Sequence, residues 1–163
     1  MHDARSWIDR LQLRPHPDGG WYRETYRSHR IVPTAYGDRS AGTAIVYLLE
    51  RGQFSALHRI RSDEIWHFHT GAGLQIACID EGGEVAVHRL GLRADRGELP
   101  QVVVPAGVWF GARLDPGATE HFTLAGCTVA PGFDFADFEM GRAEELRRRF
   151  PRAEEWVQAL TRD

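Results

Sequence analysis

No stretch of this sequence approaches the roughly 20 consecutive apolar residues of a membrane-spanning helix, so nothing in it calls for a membrane partner. Its opening residues, MHDARSWIDRLQL, carry acids and bases where a secretion signal needs an apolar run, and the chain reads as cytoplasmic. Cysteine is scarce. Cys78 and Cys127 each sit inside apolar strand-like text, LQIACID and FTLAGCTVA, and without a secretion signal both are expected as buried reduced thiols. Positive charge is not in excess either: 20 basic residues against 23 acidic ones leave a net charge of −3. That gives no basic face for a nucleic-acid backbone, so no nucleic-acid partner is expected. The one basic run, Arg147-Arg148-Arg149, lies on helix-periodic text and reads as a solvated face. Internal repeats, low-complexity tracts and a phosphate-cradling glycine loop are also missing. What is present is 42% apolar and 26% charged over 163 residues, the make-up of one globular domain. Residues 1–163 are taken as that single domain, with a strand core over about 21–130 and a helical tail over about 142–161.

Read along the chain, Ser6 can cap a short helix whose apolar stripe is Trp7, Ile8 and Leu11. The helix ends before Pro15-His16-Pro17-Asp18-Gly19-Gly20, a dense cluster of breakers. There His16, constrained between two prolines, reads as a solvated loop histidine with reach to a ligand as the alternative, and Gly19-Gly20 as a turn needing positive φ. Trp21–Ser28 then alternates between two polar-aromatic faces, so that Arg23, Glu24 and Arg27 suit ion pairs or an anionic group on a ligand. A loop through Pro33 and Gly42 follows. Strands are expected over Thr43–Leu49, Phe54–Ile60, Glu64–Thr70, Leu74–Ile79, Glu84–Leu90, Gln101–Val104, Val108–Arg113 and Glu120–Ala130. Turn chemistry separates them and no helix intervenes, which indicates an all-β sandwich or barrel and not a parallel α/β sheet. Pro131–Phe138 holds three aromatics and two acids; it is too apolar for solvent and should pack against the domain, a pocket mouth being one place for it. Helices are expected over Arg142–Phe150, stopped by Pro151, and over Ala153–Thr161.

The chemistry concentrates in Gly52–Gly71, GQFSALHRIRSDEIWHFHTG. It reads as two strands joined by Arg61-Ser62-Asp63, carrying His58, Glu64, His67 and His69. The stretch resembles the first motif of the cupin superfamily, G-x5-H-x-H-x3-E-x6-G, with Gly52, His58, Glu64 and Gly71 in place and Ile60 where the second histidine belongs. Pro105-Ala106-Gly107-Val108-Trp109-Phe110 resembles the second motif, P-x-G-x2-H, with Phe110 at its histidine. The strings HPDGGWYRETYRS, SALHRIRSDEIWHFHTG, VVVPAGVWFGA and VAPGFDFADFEM are similar to a branch of small cupins of uncharacterised function.

That resemblance implies an all-β double-stranded β-helix, the jelly-roll or cupin barrel, with a short N-terminal helix and C-terminal helices, in a homodimer. It also implies a comparison with epimerases of dTDP-4-dehydro-6-deoxyhexoses, in which a histidine at this motif removes a proton beside a ketone and a tyrosine returns one. A typical cupin holds a divalent metal through three histidines and a glutamate; here His58 and Glu64 remain while Ile60 and Phe110 cannot ligate. No cofactor is therefore expected. Strand parity places His67 and His69 on the face away from Glu64, with Asp63 beside them, and Asp63, His67 and His69 form the alternative metal set.

With His58 and Glu64 inward, Trp66 and Phe68 follow on the same face, and Phe110 rather than Trp109 should face the interior. The expected catalytic residues are His58 as base, Glu64, and Tyr47 as acid, Tyr26 and Tyr22 staying open for that role. Trp66, Phe68, Phe110, Tyr26 and Arg23 are the expected binding residues for a small organic ligand. Three functions fit: a metal-independent epimerase or isomerase of a carbonyl compound, a non-catalytic binding protein, or a metal-dependent dioxygenase-like enzyme with rearranged ligands.

Overall fold

A computed structural model describes residues 3–162. Breakers and alternating strands divide the first half into α1 (Ala4–Leu11), β1 (Arg14–Pro15), β2 (Trp21–Arg27), β3 (Ile31–Thr34), β4 (Gly37–Ser40), β5 (Thr43–Glu50) and β6 (Phe54–Arg59). Then come β7 (Asp63–Gly71), β8 (Leu74–Ile79), β9 (Val85–Leu90), β10 (Gln101–Val104), β11 (Trp109–Leu114) and β12 (Phe122–Ala130). The chain ends with β13 (Glu139–Met140), α2 (Ala143–Arg149) and α3 (Glu154–Ala159).

The strands form two facing antiparallel sheets, ordered β1-β2-β5-β12-β7-β10 and β13-β6-β11-β8-β9. This is the jelly roll, and consecutive strands alternate between its sheets: β5 to β6, β6 to β7, β7 to β8. The consequence for function is direct, because His58 on β6 and Glu64 on β7 come from opposite walls.

Alternation sorts side chains into an inside and an outside. Inside are Tyr47, Leu49, Trp66, Leu74, Ile76, Cys78, Phe110, Ala112 and Cys127. Their neighbours in sequence face outward: Leu57, Ala77, Ile79 and Trp109 meet Leu146, Phe150, Val157 and Leu160 from α2 and α3. Trp109 and Phe110 thus divide between the two cores as parity requires. Removing a side chain such as Phe110, 1% exposed, from water stabilises by about 1.5–3 kcal/mol. On the other sheet α1 lays Ile8, Trp7 and Leu11 against Leu48, Leu124 and Val46.

Three local expectations need correction. The α1 cap is Asp3, whose carboxylate accepts from the Ser6 amide at 2.8 Å and from its hydroxyl at 2.7 Å; the longer acid reaches back where Ser6, already inside the helix, serves as donor. The expected loop through Pro33 is a hairpin, β3 with β4, in which Pro33 is tolerated because no further strand pairs beside it. The second C-terminal helix is split, a 3-10 turn over Pro151–Ala153 preceding α3. Both cysteines are buried and free, and burial pushes the Cys78 thiol up to about 12.

Candidate functional site

A cavity of about 460 Å³ opens between the sheets, within the range of about 300–1,000 Å³ usual for small-molecule sites. β6 brings His58 to one wall; β5 and β7 bring Tyr47, Glu64 and Trp66 to the other, with Cys127 from β12 behind them. The breaker loop between β1 and β2 adds His16 and Asp18, and the segment after β12 closes the mouth with Phe133, Phe135 and Phe138.

The centre of the site is Asp18, a residue that strand periodicity does not single out. Its carboxylate lies between two histidines, with Oδ1 2.6 Å from His16 Nδ1 and Oδ2 3.3 Å from His58 Nδ1. The Ser55 hydroxyl donates to Oδ2 at 3.0 Å. Gly19 and Gly20 make the approach possible. They take φ of 119° and 73°, and a Cβ on Gly19 would meet the Phe54 carbonyl at 2.1 Å. The Asp18 carbonyl accepts from the Ala56 amide and from Arg162, both at 2.8 Å, so β6 and the chain's last residues clamp the loop. His16 is therefore no solvated loop histidine: its ring packs edge-on against Tyr22, Tyr47 and Phe138.

His58 donates from Nδ1 to the Ala56 carbonyl at 2.7 Å, which leaves Nε2 with the free lone pair. The ring stacks on Phe138, centroids 5.2 Å apart, and tilts against Phe110 at 4.2 Å. Burial lowers its pKa; the nearby Asp18 charge and the Ala56 bond only partly oppose this. The carboxylate partner of His58 is thus Asp18, where the motif alone had offered Glu64.

Glu64 is displaced the opposite way. Burial raises its pKa to about 8, and hydrogen bonding from the Cys127 thiol and the Trp66 indole only partly offsets this. The Trp66 N–H closes no hydrogen bond of standard geometry with any described protein group, although the ring is 2% exposed. The Tyr47 hydroxyl donates to the Gly19 carbonyl at 2.7 Å, and burial holds the phenol well above its ordinary pKa.

Of the residues singled out in the sequence, His58, Glu64, Tyr47 and Trp66 line the cavity. Phe110 backs His58 without lining the cavity, and Phe68 packs against the interior core on the Trp66 face but lies further along β7, lining a surface groove with His69 in place of the cavity. Tyr26 is 57% exposed, and Arg23 is spent on the Leu11 carbonyl and the Gln12 side chain, each at 3.2 Å; neither lines the cavity. The alternative metal set does not assemble. Asp63 accepts from the Ala106 amide, and both ring nitrogens of His67 are engaged, by Thr128 and by Gln101. The typical cupin metal positions hold His58, Ile60, Glu64 and Phe110, two of them hydrocarbon, and this donor set does not fit a divalent metal. Among the described residues no group of three or more His, Cys, Asp or Glu side chains is placed to hold one.

Residues 5–141 match the family model described as Cupin superfamily (DUF985). Protein SO0799 from Shewanella oneidensis superimposes with a TM-score of 0.92 at 39% identity, covering 99% of both chains. A hypothetical protein from Leishmania major does so with 0.94 at 35% identity, covering 99% of this chain and 100% of that one. In Saccharomyces cerevisiae, the uncharacterized protein YML079W is 30% identical over 153 residues, 85% of this chain and 75% of its own length.

Proposed function

The chain belongs to the DUF985 family of the cupin superfamily, and on that premise we propose that its barrel binds a small carbonyl compound and moves a proton on it without a metal. One observation carries the reading. A basic nitrogen held neutral, His58 Nε2, and a carboxyl held protonated, Glu64, face one aromatic cavity from opposite walls. Environments that drive two titratable groups apart in this way assign the base and the acid.

His58 Nε2 takes the proton from the carbon beside the carbonyl, and Glu64 protonates the oxygen as the enol forms. Where the carbon that lost its proton carries a hydroxyl, the enol is an enediol. His58 then returns the proton to the former carbonyl carbon while ionised Glu64 takes the proton of the adjacent hydroxyl, which becomes the new carbonyl, and this is isomerisation. Epimerisation needs a donor on the opposite face of the carbon. Tyr47 is withheld from that role while its hydroxyl donates to Gly19, so isomerisation is the simpler outcome. Asp18 keeps the His58 ring in place and stabilises its protonated form. We propose that the chain does this as a homodimer, as the resemblance implies.

The test is exchange of solvent deuterium into an added ketose or keto-sugar, followed by NMR, in the wild type and in His58→Ala and Glu64→Gln. Exchange is expected in the wild type and abolished by His58→Ala. Exchange that survives His58→Ala removes His58 as the base.

A further inference from the structure

We propose that the cavity's ligand is uncharged: a carbonyl compound carrying neither phosphate nor carboxylate. The choice of a carbonyl rests on the proton-transfer reading; the charge follows from the cavity alone.

The cations come first. The sequence contains no lysine, and the cavity lining includes one arginine, Arg27. Its Nε and Nη2 donate to the two Glu24 oxygens at 2.8 Å each, and Nη2 also reaches the Phe133 carbonyl at 2.9 Å. The guanidinium charge is thus already matched, and its bidentate edge, the one that would grip a phosphate, is occupied. The acids point the same way. Asp18 and Asp134 also line the cavity, and neither has an arginine or lysine within ion-pair distance among the described residues. A nucleoside diphosphate would enter a site that repels it and offers no free basic fork.

Two buried donors show what is wanted instead. The Trp66 indole N–H reaches only the Glu64 carboxyl, without closing a hydrogen bond of standard geometry, and the pair suits one neutral oxygen, a carbonyl or hydroxyl, on the ligand. The walls around them are rings, Tyr22, Tyr47, Phe133 and Phe138, and about 460 Å³ is ample for one substituted ring laid against them. This departs from the nucleotide-linked sugars to which the resemblance points.

The experiment compares two probes on the full-length protein at low ionic strength: a free 4-keto-6-deoxyhexose and the same sugar as its nucleoside diphosphate conjugate. Binding is read by calorimetry and by Trp fluorescence, and deuterium exchange is read in the same samples. The free sugar should bind at least about tenfold more tightly than the conjugate, because like charges oppose the latter. In Glu24→Gln, which frees the Arg27 edge, the conjugate should gain most of that difference back. Equal or tighter binding of the conjugate by the wild type overturns the inference, as does failure of both probes to bind. Free-sugar binding without exchange upholds the ligand class and removes the proton-transfer reading. Tighter conjugate binding with His58-dependent exchange does the reverse.

Discussion

Replacing Glu64 by glutamine should make the protein more stable, and by an amount that grows with pH. In the folded protein burial raises the carboxyl from its ordinary 4.5 to about 8. A carboxyl whose pKa is raised by folding costs nothing below the unfolded value, because both states are then protonated. The cost grows as pH rises from 4.5 towards about 8 and is level above that. At about 1.4 kcal/mol for each pH unit, the cost is below about 1 kcal/mol at pH 5, about 3 at pH 7 and about 5 at pH 9. Water entering the cavity would reduce these figures, so they are ceilings. Glutamine has nearly the same shape and no proton to lose. The two proteins should therefore agree within about 1 kcal/mol at pH 5 and diverge by up to about 5 at pH 9, a large fraction of a typical domain's stability. His58, whose lowered pKa acts in the acid range, is common to both and largely cancels. Urea unfolding at pH 5, 7 and 9, at one protein concentration, measures the difference from the midpoints at constant slope. A difference that stays flat across the range refutes the reasoning, for it would mean that Glu64 is ionised and satisfied in the fold.

Cys127→Ala removes a thiol hydrogen bond that lowers the Glu64 pKa, so the alkaline midpoint of the stability profile should move above about 8; an unchanged or lower midpoint contradicts the contact. Asp18→Asn removes the charge that raises the His58 pKa, and an NMR titration should show the imidazole falling further below its ordinary value. An unchanged value would remove Asp18 as its electrostatic partner. Asp137→Asn breaks the two 2.7 Å bonds from Arg39 that tie down the mouth segment, and amide exchange over 132–138 should accelerate while the barrel strands keep their protection. Gly20→Ala places a methyl 2.7 Å from the Leu48 carbonyl at a φ of 73°, and should cost more than about 1 kcal/mol, read by thermal unfolding.

Much of the barrel was legible because strand alternation is a local rule. It put Phe110 and Trp109 on opposite faces, Trp66 with Glu64, and Asp63 with His67 on the other side, while the motif positions said which of these faces is the inner one. The aromatic segment after β12 was legible from composition alone: three phenylalanines in eight residues need a surface to cover. The failures share one cause. His16 and Asp18 sit in a stretch without periodicity, and their partners Ser55 and His58 lie about forty residues on. The available signal was the paired glycines, which mark a backbone that must approach another closely. Phe68 kept the inward parity expected of it and packs against the interior core, but it sits too far along β7 to line the cavity, a distance that alternation does not measure.

By itself the sequence determined an all-β sandwich or barrel and which residues could meet inside it, through a period of two that is local; the jelly roll and the loss of two metal ligands at Ile60 and Phe110 came from the resemblance of its motifs to the cupins. Only the tertiary structure decided that Asp18 joins His16 to His58, that Glu24 neutralises Arg27 at the mouth, and that Glu64 is buried deeply enough to keep its proton near neutral pH. A pKa depends on what displaces water around a group, and that is settled when the two sheets close.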